Sequence, residues 1–210
     1  MSFFLAVDHG IPFAAAAARG SIAAIAAECA FALAFARTAR GWPAALGLGT
    51  LAYTAAGLAM QLVVVDPLVL AAIMAALLLL TLRLLPTAER PAAAPPRPPA
   101  WDLPVRVVVT TAIVMLITSV APTLGPYGSA LLATFPLFAS VLAVFAERHQ
   151  GHAAAVDVLR GLVNGLFGFT AFFVVVALAL EPLGFVAFAL AVAVVIAVQS
   201  VALVALRRAG

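Results

Sequence analysis

The chain alternates long apolar runs with short gaps that carry charge, proline or glycine. The runs cover residues 21–36, 44–65, 68–85, 105–121, 129–146, 155–180 and 183–206. Each approaches or reaches the length of about 20 apolar residues that an α-helix needs to cross a bilayer. Ala and Leu dominate them, and they lack the in–out alternation of a membrane barrel strand. A helix satisfies its own backbone polar groups in lipid. The pattern therefore predicts an all-α fold, a polytopic transmembrane bundle of seven or eight helices. Residues 1–18 decide between the two numbers, as a short first span or as a surface segment. Asp8 and His9 interrupt their apolar stretch and no basic residue precedes it, so this start reads as a retained segment rather than a cleaved signal peptide.

One gap differs from the rest. Residues 86–103, PTAERPAAAPPRPPAWDL, are dense in proline and charge and cannot continue a helix. They read as an extended linker between a first transmembrane repeat, residues 1–85, and a second of four helices, residues 104–210. Composition agrees with a lipid environment. Hydrophobic residues make up 66% of the chain and charged residues 9%, against roughly half and a quarter in soluble domains. No sizeable soluble domain fits beside the spans.

The formal net charge of +3 comes from eleven cationic residues, all arginine. In a soluble protein a pI near 10.0 would suggest nucleic acid. Here the arginines occupy the gaps between apolar runs, so they set topology instead, and no nucleic-acid partner is expected. Placing Arg37 and Arg40 on the cytoplasmic side puts Arg83, Arg90, Arg97, Arg106, Arg148, Arg160, Arg207 and Arg208 there too. Arg19 alone falls outside. The positive-inside bias then gives a bacterial inner-membrane protein with a cytoplasmic C-terminus. Trp42, Trp101 and Tyr127 fall near span ends, where aromatic belts form.

Punctuation repeats along the chain. Gly20-Ser21 and Gly128-Ser129 each precede a run. Phe35-Ala36-Arg37 then Gly41 is matched by Phe145-Ala146-Glu147 then Gly151. A further run in each half stops at Asp66-Pro67-Leu68 or Glu181-Pro182-Leu183. Corresponding helices lie four spans apart and point the same way. The expected symmetry is two parallel tandem repeats about an axis along the membrane normal.

From Val105 onward, Phe135-Pro136-x-Phe138-Ala139, a polar turn ending at Gly151, Leu159-Arg160, and a helix bearing Gly165, Gly168, Phe172 and Phe173 form a recognisable set. With these phrases, residues 105–206 resemble the GlpM-like family of small four-span bacterial membrane proteins. The resemblance implies a four-helix membrane unit, duplicated in this chain, and implies no settled activity. In the first half Glu28-Cys29 stands about where Phe135-Pro136 stands in the second.

Candidate chemistry is sparse. Glu28 lies roughly 12–14 Å from both Gly20 and Arg37 at 1.5 Å per residue, near the middle of a core about 30 Å thick. A carboxylate there must be paired, protonated or turned to a cavity. Gln61, Asn164 and Gln199 are further polar groups within apolar runs, and hydrogen bonds between helices account for them adequately. Pro136 sits inside a run and is expected to kink it, freeing a carbonyl. Gly161-x-x-x-Gly165, with Gly168, suits close helix contact. At the cytoplasmic edge, Arg148, His149, His152, Asp157 and Arg160 gather charge in a turn that reads more simply as solvated than as a metal or catalytic centre. No nucleotide, protease or hydrolase signature stands in the chain, and no cofactor is expected. The leading expectation is a small secondary transporter or permease whose polar site comprises Glu28, Gln61, Pro136 and Asn164. The alternative is a non-catalytic accessory or scaffold subunit of a larger membrane complex. A lipid-modifying enzyme built on the cytoplasmic cluster ranks third. Partners are the bilayer itself and either further copies of the chain or a membrane-complex subunit.

Overall fold

The computed structural model describes residues 6–7, 10–63, 65–86, 101–120 and 135–209. Among them lie seven helices and no strand. They are α1 (Ile11–Arg37), α2 (Trp42–Met60), α3 (Pro67–Leu84), α4 (Asp102–Val120), α5 (Leu137–Gln150), α6 (His152–Leu183) and α7 (Val186–Ala209). Four contain segments long and apolar enough to cross a membrane: Ala17–Arg37, Trp42–Met60, Pro67–Leu84 and His152–Leu183. Shorter apolar stretches, Leu103–Leu116 and Val186–Val201, lie in α4 and α7. This all-helical, apolar architecture is compatible with an integral membrane protein.

Local chemistry sets most helix starts. Asp66 caps α3 by accepting the Leu68 N–H at 2.8 Å, and Pro67 follows where its missing N–H costs nothing. Gly41 precedes α2 with φ 91°, and Gly151 precedes α6 with φ 90°. Both matching turns need a backbone that only glycine adopts without steric cost. Arg37, Thr38 and Gly41 thus form one tight hairpin between α1 and α2, and Gly151 alone joins α5 to α6.

Three expectations change. Gly20-Ser21 opens no helix, because α1 runs unbroken through it, and the Ser21 hydroxyl donates back to the Ala17 carbonyl at 3.1 Å. An interior glycine costs only about 1 kcal/mol relative to alanine, and the Ala14–Ala18 stretch upstream is strongly helix-forming. Residues 11–18 are accordingly part of α1, not a separate element. Pro136 does not kink a helix; it is the residue before α5, with φ −75° and ψ 60°. Glu181-Pro182-Leu183 is not a gap after α6 but its last turn, and the helix ends there at Leu183, ahead of Gly184 (φ 55°). The Gly128-Ser129 phrase, Tyr127, Asp8, His9 and most of the 86–103 linker lie outside the described residues.

The central contact is α1 against α6. Around it, α2 and α3 pack on α1, α5 and α7 pack on α6, and α3 also reaches α6, while α4 rests on α5. Ile22, Ile25, Phe31 and Phe35 of α1 meet Met74 and Leu78 of α3 and Val156, Leu159 and Val163 of α6 in one buried core. The rim is also apolar. Leu51 and Leu58 on α2, Val108 and Met115 on α4, and Val186 and Ile196 on α7 stand exposed, a surface that lipid covers at no cost and water does not.

Glycines mark two close approaches. A Cβ on Gly49 would come within 3.0 Å of the Phe31 ring, and one on Gly168 would collide with the Gln199 amide. Gln199 Nε2 donates to the Gly165 carbonyl at 3.0 Å and, at 3.5 Å, to that of Asn164. Gly168, not Gly161 or Gly165, is therefore where α7 comes closest, since a Cβ at either of the other two meets nothing within 4 Å.

Candidate functional site

Glu28 stands well inside α1 and is 8% exposed. Among the described residues its Oε2 has no hydrogen-bond partner, and Thr81 on α3 is fully buried. Between them lies Cys29, buried, whose thiol sits beside the Thr81 hydroxyl and within electrostatic reach of Glu28. Two helices thus bring a carboxyl, a thiol and a hydroxyl to one place inside an otherwise hydrocarbon core. Among the described residues Glu28 forms no ion pair. Buried polar groups nearly always find partners, so an unpaired carboxylate oxygen here is the most unusual polar feature of the bundle.

Two contacts fix the depth of Glu28. His152 Nε2, at the start of α6, lies 2.9 Å from the Ala36 carbonyl near the end of α1. Eight residues inward along each helix, about 12 Å at 1.5 Å per residue, Arg160 and Glu28 reach the same level on neighbouring antiparallel helices. They do not pair. Arg160 Nη2 donates instead to the Leu85 carbonyl at 2.7 Å and to that of Pro86 at 3.2 Å, and its Nε reaches Pro86 at 3.3 Å. Arg37 adds a longer bond to the Leu84 carbonyl at 3.4 Å. Two guanidinium groups therefore take the carbonyls that the end of α3 leaves without intrahelical donors.

The other expected site residues scatter. Gln61 is the exposed C-cap residue of α2. With Phe31 set against Gly49, it falls about 13 Å along the bundle from Glu28. Asn164 is half-buried one turn beyond Arg160, on the side where α7 docks. Pro136 is buried near α2, and its own carbonyl accepts both the N–H and the hydroxyl of Ser140 at 2.8 Å. The carbonyl its ring would free, four residues upstream, lies outside the described residues. What the sequence did not suggest is an aromatic anchor. The Phe135 ring sits edge-on to Phe31 at 5.7 Å and to Tyr53 at 5.2 Å. It fastens the start of α5 to α1 and α2, one helical turn from Glu28.

The polar cluster around the α5–α6 turn separates into structural roles. Besides touching Ala36, His152 places Nδ1 3.4 Å from Glu147, tying the α5–α6 turn to the end of α1. His149 lies edge-on to Trp101 at 5.7 Å and tilted against Phe145. Arg148 projects over the Trp42 ring, and Arg106 over that of Phe145. Asp157 is exposed on α6. Among the described residues no three His, Cys, Asp or Glu side chains converge as a metal site would require. Thr81 was the overlooked member of the deeper group. Its only signal was a lone hydroxyl in the run Leu77–Leu84, and nothing in the sequence says which helix it faces.

Comparison with known protein families, with curated proteins and with solved structures gives no match.

Proposed function

We propose that the chain is a small secondary transporter or permease of the bacterial inner membrane, with Glu28 as its proton or cation site. The unpaired, buried Oε2 of Glu28 carries this reading. Leaving a charged carboxylate uncompensated in hydrocarbon is costly, so such groups exchange protons or cations or face a pathway. Cys29 and Thr81 extend the polar lining. Gln61 lies too far away to share the site, and Asn164 and Pro136 flank it at neighbouring depths.

The topology we infer keeps the C-terminus cytoplasmic. Arg37, Arg40, Arg83, Arg106, Arg148 and Arg160 all belong to the bundle end where α1 and α3 finish and α2, α4 and α6 begin, as the positive-inside bias expects. Duplication of a GlpM-like unit is part of the same reading. Its support is the equal geometry of Gly41 and Gly151 before α2 and α6, together with the shared phrases around them. The test is flux in proteoliposomes for the wild type and Glu28→Gln across candidate ion gradients. Proton- or cation-coupled flux in the wild type and its loss in the variant is the expected outcome; equal flux would remove Glu28 from any coupling role.

One observation favours a second reading, an accessory subunit. Gly161 and Gly165 lie exposed along α6, and a Cβ on either would meet nothing within 4 Å, a surface on which another membrane helix could pack closely. Purification in mild detergent with a stoichiometric partner would favour that reading over transport.

A further inference from the structure

We propose that the corner where α2 begins and α5 ends is a binding site for the phosphate headgroup of an anionic phospholipid. The argument needs only that the helices cross a bilayer and stands apart from any role of Glu28. Arg148 is exposed in the last turn of α5, with its guanidinium 5.8 Å from the centre of the Trp42 ring. Arg40, also exposed, stands two residues before Trp42 in the hairpin leading into α2. Stacking on an indole holds a guanidinium in place while its N–H groups stay available. The neighbouring acid does not neutralise it, because Glu147 is turned to His152. One guanidinium on the indole, and a second exposed arginine two residues from it along the chain, are thus presented at the rim of an apolar bundle.

The surface toward the bilayer selects a lipid over a free anion. Leu48 and Leu51 on α2, and Phe138 and Leu142 on α5, are exposed. Leu48 and Leu142 each lie six residues inward from the Trp42–Arg148 contact, about 9 Å along their helices. A headgroup held by Arg40 and Arg148 therefore has its acyl chains beside apolar side chains. Trp42 occupies the interfacial depth that tryptophan favours. Each basic residue near a membrane surface adds attraction for anionic lipid. The two together predict a preference of about 10- to 30-fold for a negatively charged headgroup over a zwitterionic one.

The chain has two tryptophans, so Trp101→Phe leaves Trp42 as the only reporter. The protein in phosphatidylcholine vesicles is titrated with phosphatidylglycerol bearing brominated acyl chains and, separately, with brominated phosphatidylcholine. Quenching of Trp42 at much lower mole fractions of phosphatidylglycerol is expected. In the Arg40→Gln/Arg148→Gln variant both lipids should quench alike, whereas Arg40→Lys/Arg148→Lys should keep most of the preference. Unchanged quenching by brominated phosphatidylcholine serves as the folding control, and the lysine pair carries the test where the glutamine pair fails it. Millimolar inorganic phosphate should leave the quenching intact. Equal quenching of the wild type by both lipids overturns the site, as does a preference that survives the glutamine pair. Reversal by inorganic phosphate would assign the corner to a soluble anion instead.

Discussion

Glu28 on α1 and Glu147 on α5 are both partly or wholly withdrawn from solvent, yet their surroundings differ. Glu147 lies at the bundle end, where polar groups pair off: His152 with Glu147 and Ala36, and Arg37 with Leu84. Arg160, whose backbone is level with Glu28, joins them through a side chain that reaches the Leu85 and Pro86 carbonyls at the end of α3. Glu28 lies about 12 Å deeper, next to Cys29, whose thiol meets the Thr81 hydroxyl, and the Glu28 Oε2 is unpartnered among the described residues. At the end, three helices terminate within reach of one another and expose carbonyls that side chains can take up. At the level of Glu28, α1 and α6 are in mid-course and their backbone groups already bond within each helix. Polar side chains at the end therefore act as ties between helices. The Glu28 Oε2 at depth makes no such tie, whereas Gln199 at depth does, through the Gly165 carbonyl.

This contrast predicts opposite signs for substitutions at the two levels, measured as unfolding free energy in one detergent. Arg160→Met should destabilise most, by about 2–3 kcal/mol, because a charged donor is lost and the carbonyls at the end of α3 are left bare. Glu28→Met should move the other way and stabilise by about 1–2 kcal/mol, since an unpaired polar group leaves an apolar site; a clear loss of stability there would mean that Glu28 has a structural partner. His152→Phe should cost about 1 kcal/mol through its contacts to Ala36 and Glu147. Smallest is Thr81→Val, a near-isosteric change expected to be neutral or to stabilise by less than about 1 kcal/mol. If all four destabilised alike, the distinction between the two levels would collapse.

The repeated phrases Asp66-Pro67-Leu68 and Glu181-Pro182-Leu183 show where reading the chain falls short. Asp66 follows a loosened end of α2, where Gln61, Leu62 and Val63 make bonds of the tighter i to i+3 kind. Its short carboxylate reaches the Leu68 N–H and starts α3. Glu181 follows a long, established helix. Pro182 removes one bond in its last turn, and α6 persists until Gly184 ends it, with the Gly184 N–H bonded to the Leu180 carbonyl. The same three-residue phrase starts one helix and lies within the last turn of another because the chain before it differs.

The sequence by itself determined the helices and much of their ordering. Apolar runs of membrane length, punctuated by Pro and Gly, leave a chain in lipid little choice but to form helices. The arginines in the gaps mark one end of the bundle. The distance of Glu28 from the Arg37 end of its helix was legible too, because rise per residue fixes distance along a helix, whereas the expected helix start at Gly20 was not found. Only the tertiary structure decided neighbours. That Cys29 faces Thr81, that Arg160 turns to Leu85 rather than to Glu28, and that Phe135 lodges between Phe31 and Tyr53 all depend on how each helix is rotated about its axis. Helices that are apolar on nearly every side carry little pattern to fix that rotation. Close packing at points such as Gly49 and Gly168 fixes it instead.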